Sequence, residues 1–188
     1  YQYGFQGSDY VWLSTGRSAI RMVLKTIEER NPQIKKIALL PPFTCHTVFE
    51  PFMEFGFDIN TLPISRDLTT KGEDIIRLQE ETQASVLLVH RYYGFDTLPE
   101  FQKASDVLRS KGVVIIEDCT QNLYSTFERS NADYYVGSIR KWCGVPDGGF
   151  AICKEEFFAE KPNVQDKQMV DAKYQASEWK YNYLFNHK

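Results

Sequence analysis

The sequence predicts an α/β fold, a three-layer α/β/α arrangement with a mostly parallel central sheet. Three observations carry this. Apolar runs of strand length alternate with stretches of helical periodicity. The runs are continuous rather than alternating, as strands covered on both faces require. Polar residues capable of chemistry follow the ends of those runs, where open parallel sheets place their ligands.

The elements follow in order. Ile20, Val23, Leu24 and Ile27 share one helical face, and Ser14 or Thr15 can cap that helix. Ile37–Leu40 is a short buried strand stopped by Pro41-Pro42. A helix is expected over His46–Phe55, stopped by Gly56 and containing Pro51. A strand over Asp58–Ile64 and a helix over Glu73–Glu81 come next. Ser85–His90 is an apolar strand, and Phe101, Ala104, Val107 and Leu108 mark a further helix closed by Gly112. Val113–Ile116 is the clearest strand and runs straight into Glu117-Asp118. Asp133–Ser138 and Gly149–Cys153 add two more. From about Glu155 the chain turns polar and aromatic, a helical tail that cannot build a second core.

The composition narrows the function classes. The chain has 188 residues, enough for one sizeable core and an appendage. A net charge of −3 without a basic stripe argues against a nucleic-acid partner. No run of about 18 apolar residues exists to cross a membrane, and no signal peptide is visible. The chain starts at Tyr1 rather than Met, so its true N-terminus is expected upstream. Cys45, Cys119, Cys143 and Cys153 form no CxxC pair, which speaks against zinc. Three of them sit beside apolar or aromatic residues, as buried thiols in a reducing, cytoplasmic compartment would. His46, His90 and His187 show no ligand spacing, so packing roles are expected for them rather than metal binding.

The strand-end rule selects the residues that could carry chemistry. These are Pro42-Phe43-Thr44, the stretch His90–Gly94, Asp118–Gln121, and Ser138–Trp142. Gly16-Arg17-Ser18 joins them as a helix start, where free N–H groups and the helix dipole favour an anion; plain N-capping explains that segment equally. Asp118 follows the β-branched run as a ligand-facing carboxylate or a structural cap. Lys141 is a potential nucleophile beside Arg140, or a solvated lysine at a strand end. Ser138 and Lys141 also form S-x-x-K, but the K-T-G and S-D-N strings of a serine acyl-transfer enzyme are missing. Neither G-x-G-x-x-G nor a P-loop is present.

Taken in order, five segments resemble the fold-type I pyridoxal phosphate (PLP) enzymes, most closely the DegT/DnrJ/EryC1/StrS sugar aminotransferases. They are Thr15–Ile20, Pro42-Phe43-Thr44, Ile116–Gln121, Ser138–Trp142 and Asp147-Gly148-Gly149. The resemblance covers roughly residues 10 to 153. It implies a PLP-binding large domain over residues 1–154 and a tail, 155–188, leading toward a small C-terminal domain absent here. It implies that Gly16, Arg17 and Ser18 receive the cofactor phosphate with Ser138, and that Phe43 stacks on the ring. Asp118 would pair with the ring nitrogen, and Gln121 would lie against the ring or its phenolic oxygen. Lys141 would carry the cofactor as a Schiff base and shuttle a proton. The implied reaction moves an amino group from an amino-acid donor to a keto sugar or related ketone, in a homodimer. A lyase, a decarboxylase or a non-catalytic PLP-binding domain on the same scaffold stands as the alternative. A relative lacking the lysine would be a dehydratase. Departures are Arg17 in place of a small residue or Thr, Val136 in place of a serine five residues before the lysine, and Pro146-Asp147-Gly148-Gly149 in place of G-E-G-G.

Overall fold

A computed structural model describes residues 9–125, 130–161 and 167–186. Seven strands form one sheet in the order β1-β7-β6-β5-β4-β2-β3. The strands are β1 (Asp9–Leu13), β2 (Ile37–Leu40), β3 (Asp58–Thr61), β4 (Val86–His90), β5 (Val114–Asp118), β6 (Tyr134–Ser138) and β7 (Gly149–Cys153). The helices are α1 (Gly16–Arg30), α2 (His46–Glu54), α3 (Gly72–Thr82), α4 (Phe101–Ser110) and α5 (Lys167–Asn186). The five strands β3, β2, β4, β5 and β6 run parallel, and β7 and β1 are antiparallel at one side. The expected α/β fold is therefore present.

Two cores sandwich the sheet, and strand alternation sorts residues between them. Val86 and Leu88 of β4, Ile116 of β5, and Tyr134 and Val136 of β6 pack with α1 and α2. Leu87 and Val89, Ile115, and Tyr135 pack on the other face with α3 and α4. Every residue of β4, β6 and β7 is buried, which is why these strands read as continuous apolar runs.

The alternation continues past the apolar stretch. Glu117 enters the α3/α4 side and is fully buried. Its Oε1 accepts from Arg91 Nη1 (2.8 Å) and Asn122 Nδ2 (3.0 Å). Its Oε2 accepts from the Ser130 backbone N–H (3.1 Å) and from the Ser130 hydroxyl. Arg91 also donates from Nε to Asp96 (3.1 Å). A buried charge needs this degree of satisfaction to remain ionised in the core.

Several boundaries differ from the sequence reading. β1 went unread because Trp12 and Tyr10 of its outward face are exposed while Asp9 is buried, so the strand looks polar and aromatic rather than apolar. The strand at Asp58 ends at Thr61, and Pro63 stands in the stretch beyond it. Pro51 is tolerated inside the nine-residue α2 on its buried face. Val107 is not on the core face of α4 but 40% exposed. Of the cysteines, Cys119 and Cys153 are buried, but Cys45 and Cys143 are exposed, Cys45 just ahead of α2 and Cys143 just after the Ile139–Lys141 turn. The expected tail helix exists as α5, with no buried residue. No described helix is long and apolar enough to cross a membrane.

Replacing Glu117 by alanine removes one half of a buried ion pair and leaves Arg91 with Asp96 but without its buried partner. The expected loss is about 3–5 kcal/mol of folding stability, read as a lower midpoint in chemical denaturation; a midpoint equal to wild type would contradict the role given to this network.

Candidate active site

A cleft of about 830 Å³ opens at the carboxyl edge of the parallel strands, on the α1 face. The same alternation that buries Glu117 turns Asp118 toward it. His90 at the end of β4, Asp118 at the end of β5 and Ser138 at the end of β6 follow the even-numbered residues of their strands onto that face, and all three line the cleft.

Helix α1 begins at the same place. Thr15 is its N-cap and its Oγ1 accepts from the Ser18 N–H at 3.0 Å. The Ser18 hydroxyl bonds the Thr15 hydroxyl (2.9 Å). The Ser18 N–H is therefore committed to the cap, while the N–H groups of Gly16 and Arg17 form no hydrogen bond among the described residues. The approach of α1 to the sheet depends on Gly149: a Cβ there would stand 2.3 Å from the Thr15 carbonyl carbon and oxygen. Arg17 does not offer its charge to the cleft freely, because its guanidinium bonds Glu50 of α2 at 2.7 Å.

Asp118 is 8% exposed, and its Oδ1 accepts from the Thr120 N–H at 2.9 Å. Thr120 bridges two strand ends: its hydroxyl accepts from the Ser138 N–H (3.1 Å) and its carbonyl from Trp142 Nε1 (2.6 Å). Trp142 follows Lys141 directly, so this bond ties the lysine turn to the strand end that carries Asp118. Lys141 closes a single 3-10 turn, Ile139–Lys141, and lines the cleft with Arg140. The Gln121 side chain accepts through Oε1 from the Tyr93 N–H at 2.8 Å. Tyr93 has φ of 55°, an uncommon left-handed conformation for a bulky residue, and borders the cleft.

Seven of the eight residues singled out from the sequence thus line one cleft: Gly16, Arg17, Ser18, Asp118, Gln121, Ser138 and Lys141. Phe43 does not. Its ring is 59% exposed and leans on Tyr92 at 6.1 Å, while the next residues, Thr44 and Cys45, line the wall. The chain turns at Phe43 before entering α2, so of the three residues the strand-end rule selects there only Thr44 reaches the cleft. Three lining residues were given no role of their own in the sequence: His90 and Thr120, which fall within stretches the strand-end rule selected, and Cys45. Even spacing from Val86 would have put His90 on the same face as Asp118. His187 lies outside the described residues. Among the described residues, no cluster of His, Cys, Asp and Glu could hold a metal.

Cys45 has a distinct environment. The Thr47 hydroxyl donates to its Sγ at 3.1 Å. That bond and the nearby Lys141 and Arg17 charges hold the thiol below its ordinary range.

No protein-family model matches the sequence, and no curated protein matches it. Solved structures do. An aminotransferase of Helicobacter pylori involved in the biosynthesis of pseudoaminic acid superposes with a TM-score of 0.67 at 12% identity, over 89% of this chain and 43% of that one. The fold is shared. An E. coli GDP-4-keto-6-deoxy-D-mannose-3-dehydratase with bound hydrated PLP gives 0.66 at 16% identity, over 80% of this chain and 40% of that one. A NifS-like protein gives 0.64 at 18% identity, over 85% and 46%. The chain spans less than half the length of these proteins.

Cys45 should react with iodoacetamide near neutral pH faster than an ordinary exposed thiol. Thr47→Val should slow that labelling several-fold and move its pH midpoint upward, measured by mass spectrometry. An unchanged pH profile in the variant would show that Thr47 does not depress the thiol.

Proposed function

We propose that this chain is the cofactor-binding large domain of a PLP-dependent aminotransferase, transferring an amino group from an amino-acid donor to a keto sugar or related ketone. The observation that carries the reading is the meeting of Lys141, Asp118 and the start of α1 in one cleft. The large domain spans residues 1–154 and the tail 155–188; of these, 1–8, 126–129, 162–166 and 187–188 lie outside the described residues. A homodimer in the cytoplasm belongs to the same proposal.

The residues fit the group. A phosphate would meet the N–H groups of Gly16 and Arg17 at the positive end of α1, with the Ser18 and Ser138 hydroxyls beside them. No free side-chain cation is required there, which agrees with the engagement of Arg17 by Glu50. Asp118 holds one carboxylate oxygen on Thr120 and keeps the other for a protonated ring nitrogen. The Oε1 of Gln121 is occupied by the Tyr93 N–H, so its Nε2 remains as a donor toward a phenolic oxygen. Bound PLP supplies an electron sink that lets a C–H bond beside the amine break. Lys141 Nζ is the atom that attaches the cofactor and, once released, takes a proton from one carbon and returns it to another. Its presence favours amino transfer over dehydration.

Purified chain mixed with PLP should develop the visible absorption of a lysine-bound cofactor. Borohydride should fix one label on Lys141, and Lys141→Ala should lose both signals completely. Absence of the band and of any adduct at Lys141 in the wild-type chain would sink the reading. Amine donors should then convert the cofactor to its amine form; release of carbon dioxide instead would mark a decarboxylase.

A further inference from the structure

His90 and Asp118 close neighbouring parallel strands and are register partners. Both line the cleft, on the face that carries α1. His90 is only 3% exposed, and its Nε2 is buried without a hydrogen-bond partner. A buried polar nitrogen without a partner is uncommon in a native fold, so its presence at a cleft wall calls for a use. Asp118 offers the complement. Thr120 holds Oδ1, and Oδ2 takes no hydrogen bond from the described residues.

The surroundings favour a neutral imidazole. Burial holds His90 below the ordinary histidine range, and the Asp118 charge only partly opposes this. Tyr92 stands edge-on to the ring, with centroids 4.3 Å apart, and limits its sideways movement. Arg91, the next residue, is turned to the opposite face by Glu117 and does not compete for Asp118. A neutral imidazole carries one N–H, so it can bond a carboxylate without cancelling its charge. A lysine or arginine at this position would pair with Asp118 and oppose a cationic ring.

We propose that His90 is a positioning residue for Asp118: with a ring nitrogen seated in the cleft, the imidazole N–H, unpartnered without it, would donate to the carboxylate oxygen that Thr120 leaves free, and the second lone pair of that oxygen would meet the ring nitrogen. The role deepens the PLP reading and rests on it. It assigns to His90 more than the packing role its lone position in the sequence suggested.

Two measurements on the same chain test it. In the cofactor-free protein, the His90 titration is followed by NMR in wild type and Asp118→Asn. Loss of the carboxylate charge should lower the His90 midpoint; an unmoved midpoint overturns the pairing. In the second, His90→Phe and His90→Asn are titrated with PLP, following the visible band and its pH profile. His90→Phe should weaken PLP binding by on the order of tenfold, the size of one hydrogen bond to a charged group, and should shift the pH profile. His90→Asn, which keeps a donor, should recover most of both. A merely structural role would lower the melting temperature of the cofactor-free variants and leave the pH profile of the band in place.

Wild-type affinity and an unshifted profile in a folded His90→Phe would overturn the positioning role while leaving the PLP reading intact. If the wild-type chain forms no adduct at Lys141, the PLP reading fails and the positioning role falls with it. Should His90→Phe not fold, the NMR midpoint and the His90→Asn profile decide between the same outcomes.

Discussion

Two consecutive carboxylates on one buried strand set the geometry of this molecule. Strand alternation forces Glu117 and Asp118 onto opposite faces of the sheet. Glu117 is locked from below by Arg91, Asn122 and Ser130, with both oxygens engaged. With Glu117 fixed, Asp118 has one direction left, toward α1 and the cleft. The polar network therefore orients a cleft-facing group although it does not itself line the cleft. It also fastens the loop after β4 and the residues following β5 to the same strand end, and Tyr93 and Gln121 both come from these segments.

The cleft is assembled by short links between strand ends rather than by a dedicated loop. Thr120 bonds the β6 end through Ser138 and the lysine turn through Trp142. Lys141, Asp118 and Ser138 are consequently parts of one hydrogen-bonded frame. The N-terminal end of α1 joins the frame through its seat on β7. Such a frame holds its polar groups in place before a ligand arrives, which is the condition for electrostatic stabilisation without reorganisation.

Much of this was legible in the sequence. Continuous apolar runs identify strands buried on both faces, and the residues just after them identify the cleft. Lys141, Asp118, Gln121 and Ser138 were all found by that rule. The failures have physical causes. β1 has exposed aromatics on one side and a buried Asp9 held by Lys161 and the Phe158 N–H, so its polarity conceals its pairing. Phe43 precedes the turn into α2, and its ring packs on Tyr92 rather than over the cleft. His90 fell within a stretch that the strand-end rule selected but was given only a packing role for want of metal-type spacing, whereas its parity with Val86 and Leu88 was the informative feature. The exposure of Cys45 follows from a loop position that neighbouring apolar residues do not reveal.

The seat of α1 on β7 has a further consequence. Gly149 makes room by omission: a Cβ there would meet Thr15. The recess at the start of α1 is thus shaped by main-chain atoms and a missing side chain. Main-chain atoms are the same in every sequence, so a site of this kind leaves almost no lettering to compare. Shape can then persist where spelling has drifted, which is how a chain that matches no family model can still share its fold with proteins at 12–18% identity.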